Sequence, residues 1–187
     1  MVHDFLKSYS YELYEVLKAM DEKAINEIFS EIENAFKKKK NIYVLGNGGS
    51  AASASHWVCD FGKGVNNPGS DRMKIHALSD NGAILTAIGN DITYDDIFSY
   101  QLESLCNEGD LLIGLSVSGN SKNILNAYEI GKNKKCRIVS IIGDFNGKMA
   151  ELSNVTLIIK SRNYGIVEDV HMVINHGLSQ YLKSRNK

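Results

Sequence analysis

The sequence predicts an α/β fold, a three-layer sandwich in which helices cover both faces of a mainly parallel five-stranded sheet. The first observation behind this is that apolar strand-like runs alternate with helical patterns along the chain after residue 40. The second is that these runs are almost continuously apolar, as in strands buried on both faces. The predicted strands cover residues 42–45, 74–77, 111–115, 137–142 and 156–159.

The helices expected between these strands follow from apolar spacing and from their flanking residues. A loop over 66–71 holds Pro68, the only proline of the chain. The predicted helices run from 50 to about 61, over 83–88 and 94–106, from the end of the 116–121 loop to about 131, over 148–152, and from about 166 to 184.

The first forty residues are predicted to form helices that precede the first strand. Apolar residues recur at helical spacing, and Asp21 is expected to cap a second helix. We expect one structural domain, made of a helical segment over 1–40 and a core over 41–187. The segment is expected to pack on the core and on partner subunits. The alternative is that it covers only the sheet of its own chain.

Composition excludes several classes of function. The 187 residues carry a formal net charge of −1, which gives no basic surface for nucleic acid. No apolar run is long enough to span a bilayer. Cys59, Cys106 and Cys136 lack metal-ligand spacing and are predicted to be buried thiols in a reducing compartment. A cytoplasmic protein without nucleic-acid or membrane partners is therefore expected.

A glycine-rich turn after the first strand is the most informative motif. Gly46-Asn47-Gly48-Gly49 follows the strand, and Ser50 opens a helix of small residues. Glycine allows positive φ and close approach of a ligand to the backbone. Unpaired N–H groups at a helix start favour an anion such as phosphate. The alternative is an ordinary strand-to-helix turn capped by Ser50.

A second polar loop follows the third strand. It reads Ser116-Val117-Ser118-Gly119-Asn120-Ser121 and precedes another helix. Ligands of open parallel sheets bind at the carboxyl ends of strands, so the two loops are predicted to face one phosphate pocket. Neither loop has the Gly-Lys-Ser/Thr signature, and Ala51 replaces the third glycine of a dinucleotide motif. No nucleotide cofactor is expected.

Histidines and carboxylates lie within two predicted helices. His56 and Asp60 are four residues apart and share one face. In the last helix, Asp169 and His176 share a face at about 100° per residue, and Glu168 lies about 80° from His176. Spacing does not decide which pair points inward. Such groups bind zinc or transfer protons, and the alternative is ordinary polarity of a helix surface.

Together these motifs resemble the sugar isomerase (SIS) domain family, and within it the phosphoheptose isomerases. The resemblance covers nearly the whole chain. Its most specific parts are the run 46–52 with His56, the run Ala87-Ile88-Gly89-Asn90-Asp91, the 116–121 loop, and the spacing from Glu168 to His176. It implies a flavodoxin-like fold and a homotetramer with active sites between subunits.

The resemblance also implies an activity and its residues. Family members convert sedoheptulose 7-phosphate to a manno-heptose 7-phosphate, a precursor of bacterial lipopolysaccharide or capsule. The expected catalytic groups are Asp60, His176 and Glu168, and zinc is expected on His56, Asp60, Glu168 and His176. The expected substrate-binding residues are Asn47, Gly48, Gly49, Ser50, Asp60, Asn90, Asp91, Ser116, Val117, Ser118, Ser121 and Glu168.

Some positions depart from the family pattern. The family usually has Glu at Asp60, Gln at Glu168, a hydroxyl residue at Val117 and arginine at Ile166. These changes concern the substrate more than the fold. Two alternatives therefore stay open: an isomerase of another phosphosugar, and a non-catalytic SIS protein that binds a phosphosugar or a replication initiator protein.

Overall fold

The computed structural model describes residues 1–65 and 71–185, and it contains a five-stranded, wholly parallel sheet. The order of the strands is β2-β1-β3-β4-β5. The predicted α/β class and all five predicted strands are confirmed, with ends that differ by one residue at most. The strands are β1 (Asn41–Leu45), β2 (Lys74–Ala77), β3 (Leu111–Ser116), β4 (Arg137–Gly143) and β5 (Val155–Ile159).

Helices cover both faces of this sheet. Helices α1, α2, α3 and α8 share one apolar cluster with the sheet, and α4, α5, α6 and α7 share the other. The helices are α1 (Val2–Lys18), α2 (Glu22–Lys37), α3 (Gly49–Cys59), α4 (Gly82–Asp91), α5 (Ser99–Leu105), α6 (Lys122–Asn133), α7 (Met149–Leu152) and α8 (Tyr164–Arg185).

Strand β1 shows why its apolar run is continuous. Ile42 and Val44 belong to the cluster on one face, whereas Tyr43 and Leu45 belong to the cluster on the other. Successive side chains of a strand point to opposite faces, so a strand covered on both sides needs apolar residues at every position. The continuous apolar run of β1 therefore reflects burial on both faces of the sheet.

Two helix predictions need correction. Helix α3 begins at Gly49, after Gly48 with φ +54°, rather than being opened by Ser50; it passes into a π-helical turn over Asp60–Gly64. The helix predicted over 94–106 is divided into a 3₁₀ turn, Tyr94–Asp96, and α5. The hydroxyl of Thr93 accepts a hydrogen bond from the backbone N–H of Asp95 and starts the short turn. Pro68 lies outside the described residues.

The two N-terminal helices differ in their burial. Asp21 caps α2 as predicted, since its side chain accepts a hydrogen bond from the N–H of Ala24. Ile28 and Ile32 of α2 are fully buried against the sheet of their own chain. Helix α1 contacts α8 through Tyr9, but exposes several large apolar side chains: Val2, Phe5, Leu6, Tyr11 and Tyr14.

The cysteines are only partly as predicted. Cys106 and Cys136 are buried, whereas Cys59, at the end of α3, is exposed, so the prediction for Cys59 is wrong. The apolar spacing of α3 is too weak to tell its two faces apart, because small residues fill most of it. Among the helices of the described residues, none combines the length and the apolar character that crossing a membrane requires.

Candidate functional site

The two predicted anion loops lie side by side at the carboxyl ends of two neighbouring strands. They follow β1 and β3, which are paired directly in parallel register. Asn47 of the first loop and Asn123 of α6 exchange two hydrogen bonds, each 2.9 Å from side-chain nitrogen to side-chain oxygen. The hydroxyl of Tyr94 donates a third hydrogen bond to Asn47 Oδ1, at 3.0 Å. These hydrogen bonds tie the first loop to α6, the helix that follows the second loop, and to Tyr94.

The first loop depends on its glycines for a specific reason. A Cβ atom at Gly46 would lie 2.4 Å from the carbonyl oxygen of Ser50, inside the first turn of α3. Gly48 has a φ of +54°, which strains any residue with a side chain. The chain therefore turns sharply into α3, and the first N–H groups of that helix lie at the carboxyl edge of the sheet. Ser50, the second residue of α3, is buried.

The second loop carries hydroxyl groups around the start of α6. Ser116 Oγ accepts a hydrogen bond from the N–H of Gly119 at 3.1 Å and lies 3.4 Å from Ser121 Oγ. Ser118 Oγ accepts from the N–H of Asn120 at 3.2 Å. The side chain of Val117 packs into the apolar core, so only its backbone can contact a ligand. Hydroxyls and helix-start N–H groups together suit phosphate oxygens.

A second centre lies further along α3, where it contacts α8. The Nε2 atoms of His56 and His176 are 3.1 Å apart. Asp60 Oδ2 lies 3.5 Å from His56 Nε2 and 3.6 Å from His176 Nε2. The side-chain nitrogen of Asn175 donates a hydrogen bond to the same oxygen, at 2.7 Å. The structure therefore assembles three of the four predicted metal ligands.

The geometry of these three side chains fits a zinc ion. Tetrahedral zinc with bonds of about 2.0–2.1 Å places neighbouring ligand atoms roughly 3.3 Å apart. The observed separations of 3.1, 3.5 and 3.6 Å bracket that value. Two imidazoles and one carboxylate with a fourth position for water or substrate are the donor set of catalytic zinc.

Glu168 is not part of this group. Within the described residues, the close ligand atoms come from His56, Asp60 and His176 alone. The carboxylate of Glu168 lies against Gly49, where a Cβ atom would be 2.4 Å from both of its oxygens. His176 lies eight positions after Glu168, which is roughly 12 Å along α8. The carboxylate thus lies at the positive end of α3, where a negative charge is favourable.

Asn90 and Asp91 occupy the last turn of α4 and are exposed. The side-chain nitrogen of Asn90 donates a hydrogen bond to Asp91 Oδ1 at 2.7 Å. The following turn carries Tyr94, whose hydroxyl reaches Asn47 of the first loop. The turn that follows Asn90 and Asp91 therefore contacts the first loop.

The sequence analysis missed several polar residues of the site. Asn123 and Tyr94 bind Asn47, and Asn175 binds Asp60. His171 belongs to the polar cluster that the sequence shows in the last helix; it is fully buried, with its Nε2 3.0 Å from the carbonyl oxygen of Ile141. Burial lowers the pKa of His171 to about 4. The available signal was a polar residue inside an apolar run, such as Asn175 after Ile174.

A cavity of about 200 Å³ opens beside the histidine centre. Asp60 and His176 form one side of it, and Lys183 places a cation in its wall. The remaining lining residues are Gly64, Ser179 and Gln180. The carboxylate and one imidazole of the centre are therefore accessible to a polar ligand.

Comparisons with known proteins identify the family of this chain. A family model described as SIS domain matches residues 5–143. The phosphoheptose isomerase of Sulfurimonas denitrificans is 41% identical over 143 residues, covering 75% of this chain and 72% of the relative. That of Synechocystis is 34% identical over 176 residues, covering 92% and 90%.

A solved structure gives the same result. The phosphoheptose isomerase of Neisseria gonorrhoeae superposes with a TM-score of 0.88 at 25% identity, covering 98% of this chain and all of the other. The family model spans both loops and α3, and the solved structure matches the fold of nearly the whole chain. The chain therefore belongs to the SIS domain family, among its phosphoheptose isomerases.

Proposed function

We propose that this protein is a phosphosugar aldose–ketose isomerase that converts sedoheptulose 7-phosphate to D-glycero-D-manno-heptose 7-phosphate through an enediol. One observation carries the proposal. The glycine-rich loop lies at the start of α3, and a His/Asp/His group lies two turns further along the same helix. His56 lies seven positions after Gly49, which is roughly 10 Å along the helix. An extended heptose phosphate has its phosphate and its reacting carbons at opposite ends.

The serine loop is the proposed phosphate site. Ser116, Ser118 and Ser121 supply hydroxyls around the start of α6, and the adjacent backbone supplies N–H donors. Gly48 and Gly49 continue this surface toward α3, and Asn47 fixes the position of their loop. Binding energy from the phosphate then positions the distant carbons for reaction. Asn90 and Asp91 are proposed to contact sugar hydroxyls between the two ends.

Asp60 and His176 are the proposed proton-transfer groups. The Asp60 carboxylate removes a proton from C1 of the ketose and returns it to C2, which creates the new stereocentre. His176 takes the proton of the C1 hydroxyl and supplies one to the C2 oxygen, so that the carbonyl moves to C1. The acid–base role expected for Glu168 does not enter this scheme, because its carboxylate lies on Gly49. Its proposed role is to bind substrate.

His56, Asp60 and His176 would hold zinc in this proposal. A bound zinc ion would polarise the sugar oxygens and stabilise negative charge on the enediol. His56 acts as a ligand only. Asp60 and His176 each have a second atom for proton transfer when the first would bind the metal: Oδ1 beside Oδ2, and Nδ1 beside Nε2.

We also propose a homotetramer of cytoplasmic location that has active sites between subunits and serves surface-glycan synthesis. The support for assembly is the exposed apolar surface of α1, on which Phe5 is 69% exposed and Tyr11 66% exposed. The segment 1–40 would then pack partly on its own core, through α2, and partly on partner subunits, through α1. A solution mass near that of one chain, measured by light scattering, would contradict this part.

The deciding experiment is turnover of sedoheptulose 7-phosphate by the purified protein, followed by NMR, with and without a chelator and added zinc. The expected product is an aldoheptose 7-phosphate, and activity should vanish with chelator and return with zinc. A folded protein that forms no product under any metal condition would refute sedoheptulose 7-phosphate as the substrate. A panel of hexose and pentose phosphates, run in parallel, separates another substrate from a protein that only binds phosphosugars.

A further inference from the structure

A buried amide lies directly behind the Asp60 carboxylate. Asn175 is on α8, next to His176, and its side chain is 0% exposed. Its nitrogen donates a hydrogen bond of 2.7 Å to Asp60 Oδ2. The two histidine nitrogens lie 3.5 and 3.6 Å from that oxygen. The contact with Asn175 is therefore the only one of these three that has the length of a direct hydrogen bond.

The orientation of this amide follows from its partner. A carboxylate oxygen accepts hydrogen bonds and does not donate them, so the nitrogen of Asn175 must face Asp60. The amide oxygen then points away into the core, where it has no hydrogen-bond partner among the described residues. His171 Nδ1, one helical turn earlier, is in the same situation.

A purely structural role does not account for asparagine at this position. A buried polar atom without a partner is costly, and an apolar side chain of similar size would avoid that cost. Ile174 and Leu178 on the same helix show that α8 accepts such side chains. The hydrogen bond to Asp60 is the contact that an apolar side chain at this position would lack.

Asp60 is a residue whose position needs such support. It is the first residue of the π-helical turn Asp60–Gly64, which directly follows the regular part of α3. Its side chain is 24% exposed and borders the cavity beside His176. A partly exposed carboxylate has more than one rotamer available, and proton transfer requires a single well-aligned one.

We propose that Asn175 is a positioning residue that holds Oδ2 of Asp60 and thereby directs Oδ1 toward the reacting carbons. This inference rests on the proposed function, since it assigns Asp60 the proton transfer between C1 and C2. Asn175 does not touch the substrate. It acts through the orientation of Asp60, so its loss lowers kcat rather than substrate affinity.

The test compares Asn175→Leu with Ile174→Ala, a neighbouring buried position of α8. For Asn175→Leu we expect kcat to fall about 10- to 100-fold, the usual cost of losing a group that orients a catalytic ligand. KM should stay within about twofold, and the midpoint of thermal unfolding should not fall. Ile174→Ala should lower the midpoint by leaving a cavity, with kcat near the wild-type value at 25 °C.

A kcat for Asn175→Leu within about twofold of wild type would overturn the inference. A similar fall of kcat in Ile174→Ala would also overturn it, because the loss of activity would then follow from a weakened helix packing and not from the missing hydrogen bond. If the leucine variant does not fold, Asn175→Ala replaces it, because it also lacks the donor and adds no volume. The same two criteria then apply to that variant.

A second readout separates this inference from the proposed function. If wild-type protein does not turn over the heptose phosphate, the proposed function fails, and zinc affinity then decides the inference. Metal-free wild type and Asn175→Leu are titrated with zinc against a chromophoric chelator. We expect about tenfold weaker binding by the variant, since Asp60 would no longer be held in place. Equal affinities would contradict a positioning role.

Discussion

The two ends of the α3–α8 pair are built in opposite ways. At the start of α3 the site consists of backbone and short hydroxyls, shaped by Gly46 and Gly48. Two turns further on it consists of ionisable side chains, with His56 47% exposed and His176 48% exposed. The first end should tolerate the loss of single side chains but not a methyl group added at Gly46, where the backbone of Ser50 leaves no room. The second should respond to the loss of a single proton-accepting group.

The largest expected effect tests the side-chain end. Replacing Asp60 with asparagine keeps the size of the side chain and removes the base. We expect kcat to fall about 10³-fold, within the range that proton-transfer groups contribute, with little change in folding by circular dichroism. Asp71→Asn is the matched control, because Asp71 pairs with Lys39 away from the site. Substantial activity in Asp60→Asn would remove Asp60 from the mechanism.

The next effect concerns His171, which lies on α8 between the two ends. Its pKa is about 4 in the folded protein because burial disfavours the charged form, against 6.5 for an ordinary histidine. As pH falls from 6.5 to 4, the unfolded chain binds a proton that the folded protein does not. Stability should therefore fall with pH, by about 3 kcal/mol over this window.

Urea unfolding of wild type and His171→Leu between pH 4 and pH 7.5 measures this effect. The leucine variant should have the flatter profile, because it lacks the group that titrates only when unfolded. His76→Gln is the control, since His76 is exposed on β2. Parallel profiles for wild type and His171→Leu would show that His171 carries no such linkage.

The backbone end is tested by adding one methyl group. Alanine at Gly46 would clash with the backbone of Ser50, so we expect a loss of about 2–3 kcal/mol in the free energy of unfolding. Alanine at Gly49 meets only the end of the Glu168 side chain, which can move aside, so its cost should be well under 1 kcal/mol. Chemical denaturation gives both values, and similar losses for the two variants would contradict the distinction.

The smallest expected effect is the loss of one hydroxyl at the backbone end. Ser118→Ala should raise KM about tenfold, equivalent to about 1.4 kcal/mol, and leave kcat nearly unchanged. The remaining hydroxyls and N–H groups still hold the phosphate. Ser30→Ala on α2, where the hydroxyl bonds only within its own helix, is the control. An unchanged KM in Ser118→Ala would count against the serine loop as the phosphate site.

The sequence predicts the two ends of the site unequally. Glycines and serines after apolar strands mark the backbone end directly, because few other functions need them there. Periodicity places His56 and Asp60 on one face of α3, and the assembled structure confirms that they meet. It does not reveal which residue of α8 faces them, since helical phase describes one helix and not its neighbour.

Glu168 and Asn175 illustrate this limit. The carboxylate expected beside His176 lies on Gly49, because α8 runs alongside α3 and its residues contact successive turns of that helix. The amide that does reach Asp60 was not predicted, since a single asparagine in an apolar run has no characteristic spacing. Contacts between two helices far apart in sequence are fixed by tertiary packing alone.

The long sequence separations within the site also govern when it forms. The Asn47–Asn123 pair joins residues 76 positions apart, and the Asn175–Asp60 pair joins residues 115 apart. Closing such loops costs chain entropy before any contact is gained. During synthesis, a chain emerging from the ribosome can close the loop network once Asn123 is available, but must wait for α8 to complete the histidine centre. The histidine centre is therefore the last part of the site to assemble.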